Sequence, residues 1–494
     1  MFPEARRMAP ATLALWPAVA ASLALVALGG GIVAPLVPLL ALGGVAFVLA
    51  APMSWTASGL LAAALLVDNP GERPADGLWQ SPLYLPGELL YLNLHRHTGI
   101  GALRFSALEL LIAVLMAVVV ARKLKADPID DPRELGALPN PMKLAFLSMF
   151  SAIVVLMAWG VVKGGSFQNA LWQVRQLAWL PVLGVLFGHA LKTSRSRLWL
   201  VRIIILTASL RALSGIWFYF AVGKPGGMVF EYTMTHSDSI LAVAAILLAM
   251  MSLIAQPSLD HVLLNILVQP ILFLGLIVND RRLAFVGLGA GMVVAVLMAP
   301  PTLKRLVRRA VVLSIPLVIL YTGAGWNSNA GVFRPVGVVR SVISQDDASS
   351  QTRDIENYNL IRTLKQQPVA GSGFGHEYRE FVQAYRVDHI FAQYLYIAHN
   401  SVLWLISQVG WLGFTFIWIA FPTAVLIAWR VIQQARSPVD ILTGFGAITS
   451  ILAYLLQAWG DMGFQSWMGT LVVSAFMGAA GAAWTDLEHQ RSNT

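Results

Sequence analysis

Residues 401–429 read SVLWLISQVGWLGFTFIWIAFPTAVLIAW, and this uncharged stretch decides what kind of molecule the chain forms. A helix needs roughly 17–25 apolar residues to cross a hydrocarbon core of about 30 Å. The run is longer than one crossing requires, which reads as a half-helix joined to a full span. Alternation of period two is absent and the run is too long for a barrel strand, so it reads as helix.

Similar runs recur outward from it, near 11–29, 31–50, 52–67, 105–121, 143–161, 173–191, 198–221, 237–255, 262–279, 283–300, 310–325, 438–456 and 467–484. The pattern predicts an all-α polytopic membrane protein of about fourteen transmembrane helices, or twelve if two marginal runs are re-entrant. Composition agrees, because 57% of the 494 residues are hydrophobic and only 12% are charged, too few to cover a soluble protein of this length. The net charge of +9 would suggest a nucleic-acid partner in a soluble protein. Here the basic residues lie in short clusters between apolar runs, as membrane topology requires, and no nucleic-acid partner is expected. With no cysteine in the chain, a disulfide framework, a thiol catalyst and a zinc–thiolate site are all excluded. Arg6 and Arg7 before the first apolar run read as the start of an uncleaved signal anchor.

Basic clusters orient the chain. Arg6/Arg7, Arg122/Lys123/Lys125, Lys192/Arg195/Arg197, Lys304/Arg305/Arg308/Arg309 and Arg430/Arg436 all fall on one side of this arrangement, which the positive-inside rule makes cytoplasmic. Residues 1–325 then hold eleven spans, with an interfacial segment at 68–104 marked by Trp79, Tyr84 and Tyr91. Residues 326–400 form a large outer loop, 401–484 hold the last three spans, and 485–494 form a cytoplasmic tail.

The outer loop carries Arg334, Arg340, Arg353, Arg362, Lys365, Arg379, Arg386, His376, His389 and finally His399. Cations on that face run against the topological bias. An anionic ligand is one reason for them, and arginine suits phosphate because its fork donates two parallel hydrogen bonds. The competing reading is a solvated loop in which Asp346, Asp347, Asp354 and Glu356 balance the charge. Arg281 and Arg282, in the tight connection Asn279-Asp280-Arg281-Arg282, read either as an anion site at the outer interface or as side chains snorkelling to headgroups. Arg175 lies near the outer end of its span, placed to join the same anion site; Arg211 is deeper and is expected to pair with Glu109. His399 opens a span toward the outer compartment, with a proton affinity suited to base chemistry near neutrality, although most histidines so placed are interface residues.

Other motifs carry less. Gly371-Ser-Gly373-Phe-Gly375 has neither a preceding strand nor a following GK[ST], so it reads as a turn and not a nucleotide loop. His95-Arg-His97 lacks nearby partners for a metal, and the absence of a Walker A motif argues against an ATP-driven pump.

Several strings together resemble one family. His399-Asn400, nine residues, then Gly410-Trp-Leu-Gly413 resembles the H-N-x9-G-x-x-G signature of bacterial O-antigen ligases and the related Wzy-type polymerases. Ser349-Ser350-Gln-Thr-Arg353, Asn359-Leu-Ile and Gln367-Pro-Val-Ala-Gly371-Ser-Gly373-Phe-Gly375 look like that family's s…R…n…PllGvGfG pattern. Arg281-Arg282-Leu-Ala284 is similar to its SRga element, with Asp280 where serine or threonine is common. The likeness is detailed over about 270–430 and rests on hydropathy elsewhere.

The resemblance implies a GT-C-like glycosyltransferase of the bacterial inner membrane with a periplasmic active site. Its donor is a glycan on undecaprenyl diphosphate, and an acceptor hydroxyl attacks the anomeric carbon with inversion, without metal or cofactor. In that reading His399, with Asn400 beside it, forms the catalytic pair with His399 as base. Arg281, Arg282, Arg353 and Arg175 bind the diphosphate, while Gly371, Gly373, Gly375, Gly410 and Gly413 shape the loop. The expected acceptor is another lipid-linked repeat unit, making a polymerase; transfer to lipid A–core (a ligase) or to protein are the alternatives. A lipid-linked oligosaccharide flippase is a different class, disfavoured because the halves show no matching hydropathy and the cations gather at one face.

Overall fold

The computed structural model describes residue 44 and residues 48–72, 83–99, 101, 103–125, 138–228, 232–328, 330–333, 335–337, 340, 348–383 and 393–492. Among them the chain is all helical, apart from an isolated bridge between Asn93 and Ser106. The expected spans at 11–29 and most of 31–50 lie outside the described residues, as do Arg6, Arg7, Trp79, Arg334, Arg386 and His389.

In chain order the helices that matter below are α1 (Met53–Leu66), α2 (Tyr84–Tyr91), α3 (His95–Thr98), α4 (Ala107–Lys125), α5 (Asn140–Val162), α6 (Phe167–Ala190), α7 (Ser194–Trp217) and α8 (His236–Ala255). They continue as α9 (Leu259–Asn279), α10 (Arg282–Met298), α11 (Lys304–Gly325), α12 (Ala348–Gln366), α13 (Ser401–Trp418), α14 (Ala420–Gln433), α15 (Pro438–Gly460) and α16 (Trp467–Ser492). Nine candidate spans among the described residues are long and apolar enough to cross a membrane, and α1 and α10 are shorter apolar helices. Each expected run from 52–67 onward falls on helical structure. The short helices α2 and α3 occupy the segment expected to lie at the interface.

Helix starts are fixed by local chemistry, because a span leaves four unsatisfied N–H groups at its beginning. Thr193 with Ser196, Thr235 with Asp238 and Ser437 with Asp440 form capping boxes for α7, α8 and α15. Ser166, Ser258 and Asn400 cap α6, α9 and α13 through single side-chain acceptors.

Helix α16 is the centre of the bundle, with 94% of its apolar window buried. Its sequence explains why: Gly478-Ala-Ala-Gly-Ala-Ala483 lets neighbouring backbones approach. A Cβ on Gly478 would lie 2.5 Å from Gly184 O and 2.6 Å from Gly188 N on α6. Ser474 Oγ donates to Leu180 O at 3.0 Å across the same contact, just where Pro181 interrupts the ladder of α6.

Two buried arginines tie the bundle at opposite ends. Arg197, 1% exposed, bridges Asp440 and Asp486 at 3.3 and 3.2 Å. Arg211 is not paired with Glu109 as the sequence suggested; it is held by Asp238 and, at 3.2 Å, by Asp68. Glu109 belongs to Arg175 instead. The apolar run 198–221 placed Arg211 within a span, but which acid meets it depends on how α7 packs against α8 and α1.

Candidate functional site

The polar segment ahead of α13 is built on α12. Arg353, Glu356 and Leu360 recur at three- and four-residue spacing, so they share one face, and Glu356 and Leu360 are buried. Asn359, fully buried, accepts from the backbone N–H groups of Phe381 and Val382 at 2.9 and 3.0 Å and donates to Val382 O at 2.7 Å. It pins the returning chain to α12.

The glycine-rich turn locks this platform to the bundle. Gly410 breaks α13 with φ 64° and ψ 179°, a conformation essentially reserved for glycine. The kink frees N–H groups of the next residues, and Trp411 and Leu412 donate to Pro368 O and Val369 O at 2.8 and 3.0 Å. In return Gly373 donates to the freed Gln408 O at 2.9 Å. Gly371 approaches so closely that a Cβ there would sit 2.0 Å from Gln408 O. Gly375 donates to Gln173 Oε1 at 2.6 Å, and Gly413 packs on Leu156. The motif is a turn docked on a broken helix, as its sequence indicated.

That docking delivers His399. Asn400, 6% exposed, accepts from Leu403 N at 3.0 Å and so caps α13. One residue earlier, His399 Nδ1 lies 2.9 Å from Glu356 Oε2 and 3.1 Å from Oε1. The carboxylate orients the ring and leaves Nε2 on its far side. Burial pushes the His399 proton affinity down, but hydrogen bonding and charge from Glu356, with Asp461 adding to them, outweigh it and hold the pKa above the ordinary histidine value. Arg353 acts in the opposite direction, and its Nε is buried without a hydrogen-bond partner among the described residues.

A second half of the site comes from α8, α10 and α15. Asp280, the one non-glycine residue with positive φ among the described residues, turns the chain between α9 and α10. Asn279, fully buried, accepts from Met234 N at 2.7 Å and donates to Thr235 O at 3.1 Å and Ser239 Oγ at 2.9 Å. This fixes the strap preceding α8 against the turn, and the Arg281 guanidinium sits 3.4 Å from the centroid of the Tyr232 ring. Arg281 then lines a narrow cleft with His236, Ser239 and Gln457 at its polar part and Ile240 and Val243 among its apolar walls. Asp461, just past α15, brings its Oδ2 to 3.4 Å from His236 Nε2. His236 is within electrostatic reach of Arg281, Arg353 and His399, which joins the two halves.

The expected site residues therefore separate. His399, Arg353 and Arg281 converge on one region. Arg282 is exposed at the start of α10 and does not line the cleft. Arg175 donates to both Glu109 oxygens and, at 3.2 Å, to Arg104 O. Glu109 accepts in addition from Ser106 N and Trp179 Nε1 at 2.7 and 2.9 Å, so a role for Arg175 on an anion requires sharing it with a carboxylate. In the sequence Glu356 reads only as a balancing acid, and no motif marks His236, Asp461 or Tyr232. One signal was available for two of them: His236 and Asp461 both stand at the ends of apolar runs facing the same side as His399.

Residues 267–418 match the O-antigen ligase family model, Wzy_C. No curated protein matches the chain. The matched segment contains Arg281, Arg353, Glu356, the glycine turn, His399 and Gly410. It supports membership of the O-antigen ligase/Wzy superfamily, and the apolar helices are those of a multi-pass membrane protein.

Proposed function

We propose, from the premise that residues 267–418 carry the O-antigen ligase signature, that the protein transfers a glycan from undecaprenyl diphosphate to an acceptor hydroxyl at the periplasmic face of the bacterial inner membrane. The observation that carries the reading is the oriented His399–Glu356 pair standing in a region that also holds Arg353 and Arg281. Neutral His399 takes the acceptor proton through Nε2, with Glu356 stabilising the imidazolium that forms. The acceptor oxygen attacks the anomeric carbon from the side opposite the diphosphate, inverting it. The bond to the diphosphate oxygen breaks, its electron pair stays on that oxygen, and the guanidinium groups of Arg281 and Arg353 meet the added charge.

A lipid-linked repeat unit as acceptor makes the enzyme a polymerase of the helical GT-C type, our first expectation. The description of the matched family as O-antigen ligase favours lipid A–core as the alternative. The species left in a deletion strain decides between them: long polymer retained on the carrier lipid marks a ligase, and surface chains capped with single repeat units mark a polymerase. For the chemistry itself, purified protein in lipid nanodiscs given a defined undecaprenyl-diphosphate glycan and each acceptor class should form product that His399→Ala abolishes. Transfer at the wild-type rate in that variant overturns the role of His399.

A further inference from the structure

His236 has no part in the mechanism just described, yet it occupies the junction between the two halves of the site. It is the first residue of α8, held there by the Thr235–Asp238 capping box. It lines the cleft with Arg281, and its Nε2 faces Asp461 at 3.4 Å. Asp461 is a shared group: the same carboxylate acts on His399, and its backbone carbonyl accepts from Ser401 Oγ at 3.2 Å, two residues beyond that histidine. One carboxylate thus stands between two imidazoles, one on the loop side and one on the cleft side.

We propose that His236 is a third ligand for the donor's diphosphate and the one whose charge depends on protonation. This inference rests on the diphosphate reading above. With Nε2–H directed to Asp461, the nitrogen left for an anion is Nδ1, and only the imidazolium carries a proton on both. An incoming diphosphate beside Arg281 favours that cation, so binding the donor takes up a proton at His236. The pair also masks a carboxylate that would otherwise repel the anion. When the glycosidic bond breaks, the electron pair remains on the diphosphate, and the imidazolium donates a hydrogen bond to it without giving up its proton. His399 holds the proton from the acceptor.

The charges around His236 fit this assignment. Arg281 comes from the start of α10, Arg353 from α12, His399 from the residue pair ahead of α13 and Asp461 from the end of α15. Arg211, on α7, is held by Asp238 and Asp68 and is not available to it. Arg281, Arg353 and His399 supply positive charge on this side of the site, and Asp461 is the acid that faces the imidazole.

The test uses the full chain in nanodiscs and undecaprenyl diphosphate itself as the probe, with affinity measured between pH 6 and 8. The wild-type protein should bind more weakly as pH rises. His236→Gln should bind about tenfold more weakly at pH 6 and show a shallower profile than the wild-type protein, the remaining slope coming from His399 and the probe's own terminal phosphate, a loss typical of one charge-assisted hydrogen bond. Arg281→Ala serves as the second arm, weakening binding across the whole range. If Arg281→Ala weakens binding and His236→Gln retains both the wild-type affinity and its slope, the assignment of His236 is overturned and the diphosphate reading stands. If neither substitution changes affinity, the diphosphate reading itself fails. A thermal melt of each variant in the same nanodiscs separates misfolding from lost binding. Should His236→Gln fail to fold, His236→Asn is measured in its place.

Discussion

Glu356 reaches His399 Nδ1 at 2.9 Å across forty-three residues of sequence, joining the face of α12 to the residue that precedes α13. The contact orients the imidazole and raises its proton affinity above the ordinary value near 6.5. It is the carboxylate–histidine arrangement that tunes bases elsewhere.

The raised pKa gives a pH dependence with a definite sign. The neutral, proton-accepting ring accumulates only as pH rises through the elevated value, so transfer should climb on the alkaline side of a normal histidine titration. Glu356→Gln removes the charge, moves that limb to lower pH and lowers the plateau rate about 10²-fold. A pH–rate profile of both proteins checks this, and an unmoved limb contradicts it. The same pair stabilises the folded state fully below the unfolded-state pKa and loses that contribution as pH rises through the folded value. The difference in melting temperature between the two proteins should therefore shrink with rising pH.

Arg281 and Arg282 are neighbours with different surroundings. Arg281→Ala should raise the donor KM about tenfold or more, because it removes the guanidinium from the cleft. Arg282→Ala, at an exposed position, should change it less than about threefold. Steady-state kinetics at varied donor concentration separate the two, and equal effects would remove the distinction drawn from the cleft.

For Arg175 the geometry points to a structural contribution. Arg175→Ala leaves Glu109, 6% exposed, without its cation, and should lower stability by about 3 kcal/mol, as breaking a buried pair does. Arg175→Ala combined with Glu109→Gln should recover most of the stability and the activity. Stability regained without activity would instead assign Arg175 to the anion.

Gly410→Ala tests the kink. A methyl group there lies 2.4 Å from Val369 and occupies a glycine-only conformation, so a loss of roughly 3 kcal/mol or more is expected. Gly289→Ala, a helical position with nothing within 4 Å of its new Cβ, should leave the melting temperature within a few degrees. Detergent-solubilised thermal melts of the two variants make the comparison.

Much of the fold is legible in the chain because its signals are local. An uncharged run such as 401–429 must be helical in lipid, since no other open backbone satisfies its own hydrogen bonds there. The capping boxes at Thr193, Thr235 and Ser437 mark where spans begin, and Gly371-Ser-Gly-Phe-Gly375 announces a turn through its glycines alone. His399, Arg353 and Arg281 were readable as a set only through the family pattern, because 118 residues separate the first from the last.

Tertiary structure decided the partners. Glu109 and Asp238 are both acids within apolar helices, and nothing local distinguishes which takes Arg211; the packing of α7 against α8 and α1 does. Glu356 looked like one of several loop acids until α12 turned it toward His399. His236 and Asp461, 225 residues apart, meet because α8 and α15 lie side by side and end at the same level. Burial, capping and span length are properties of neighbours in sequence. Charge pairing and the shape of a cleft belong to neighbours in space, and only the folded bundle supplies those.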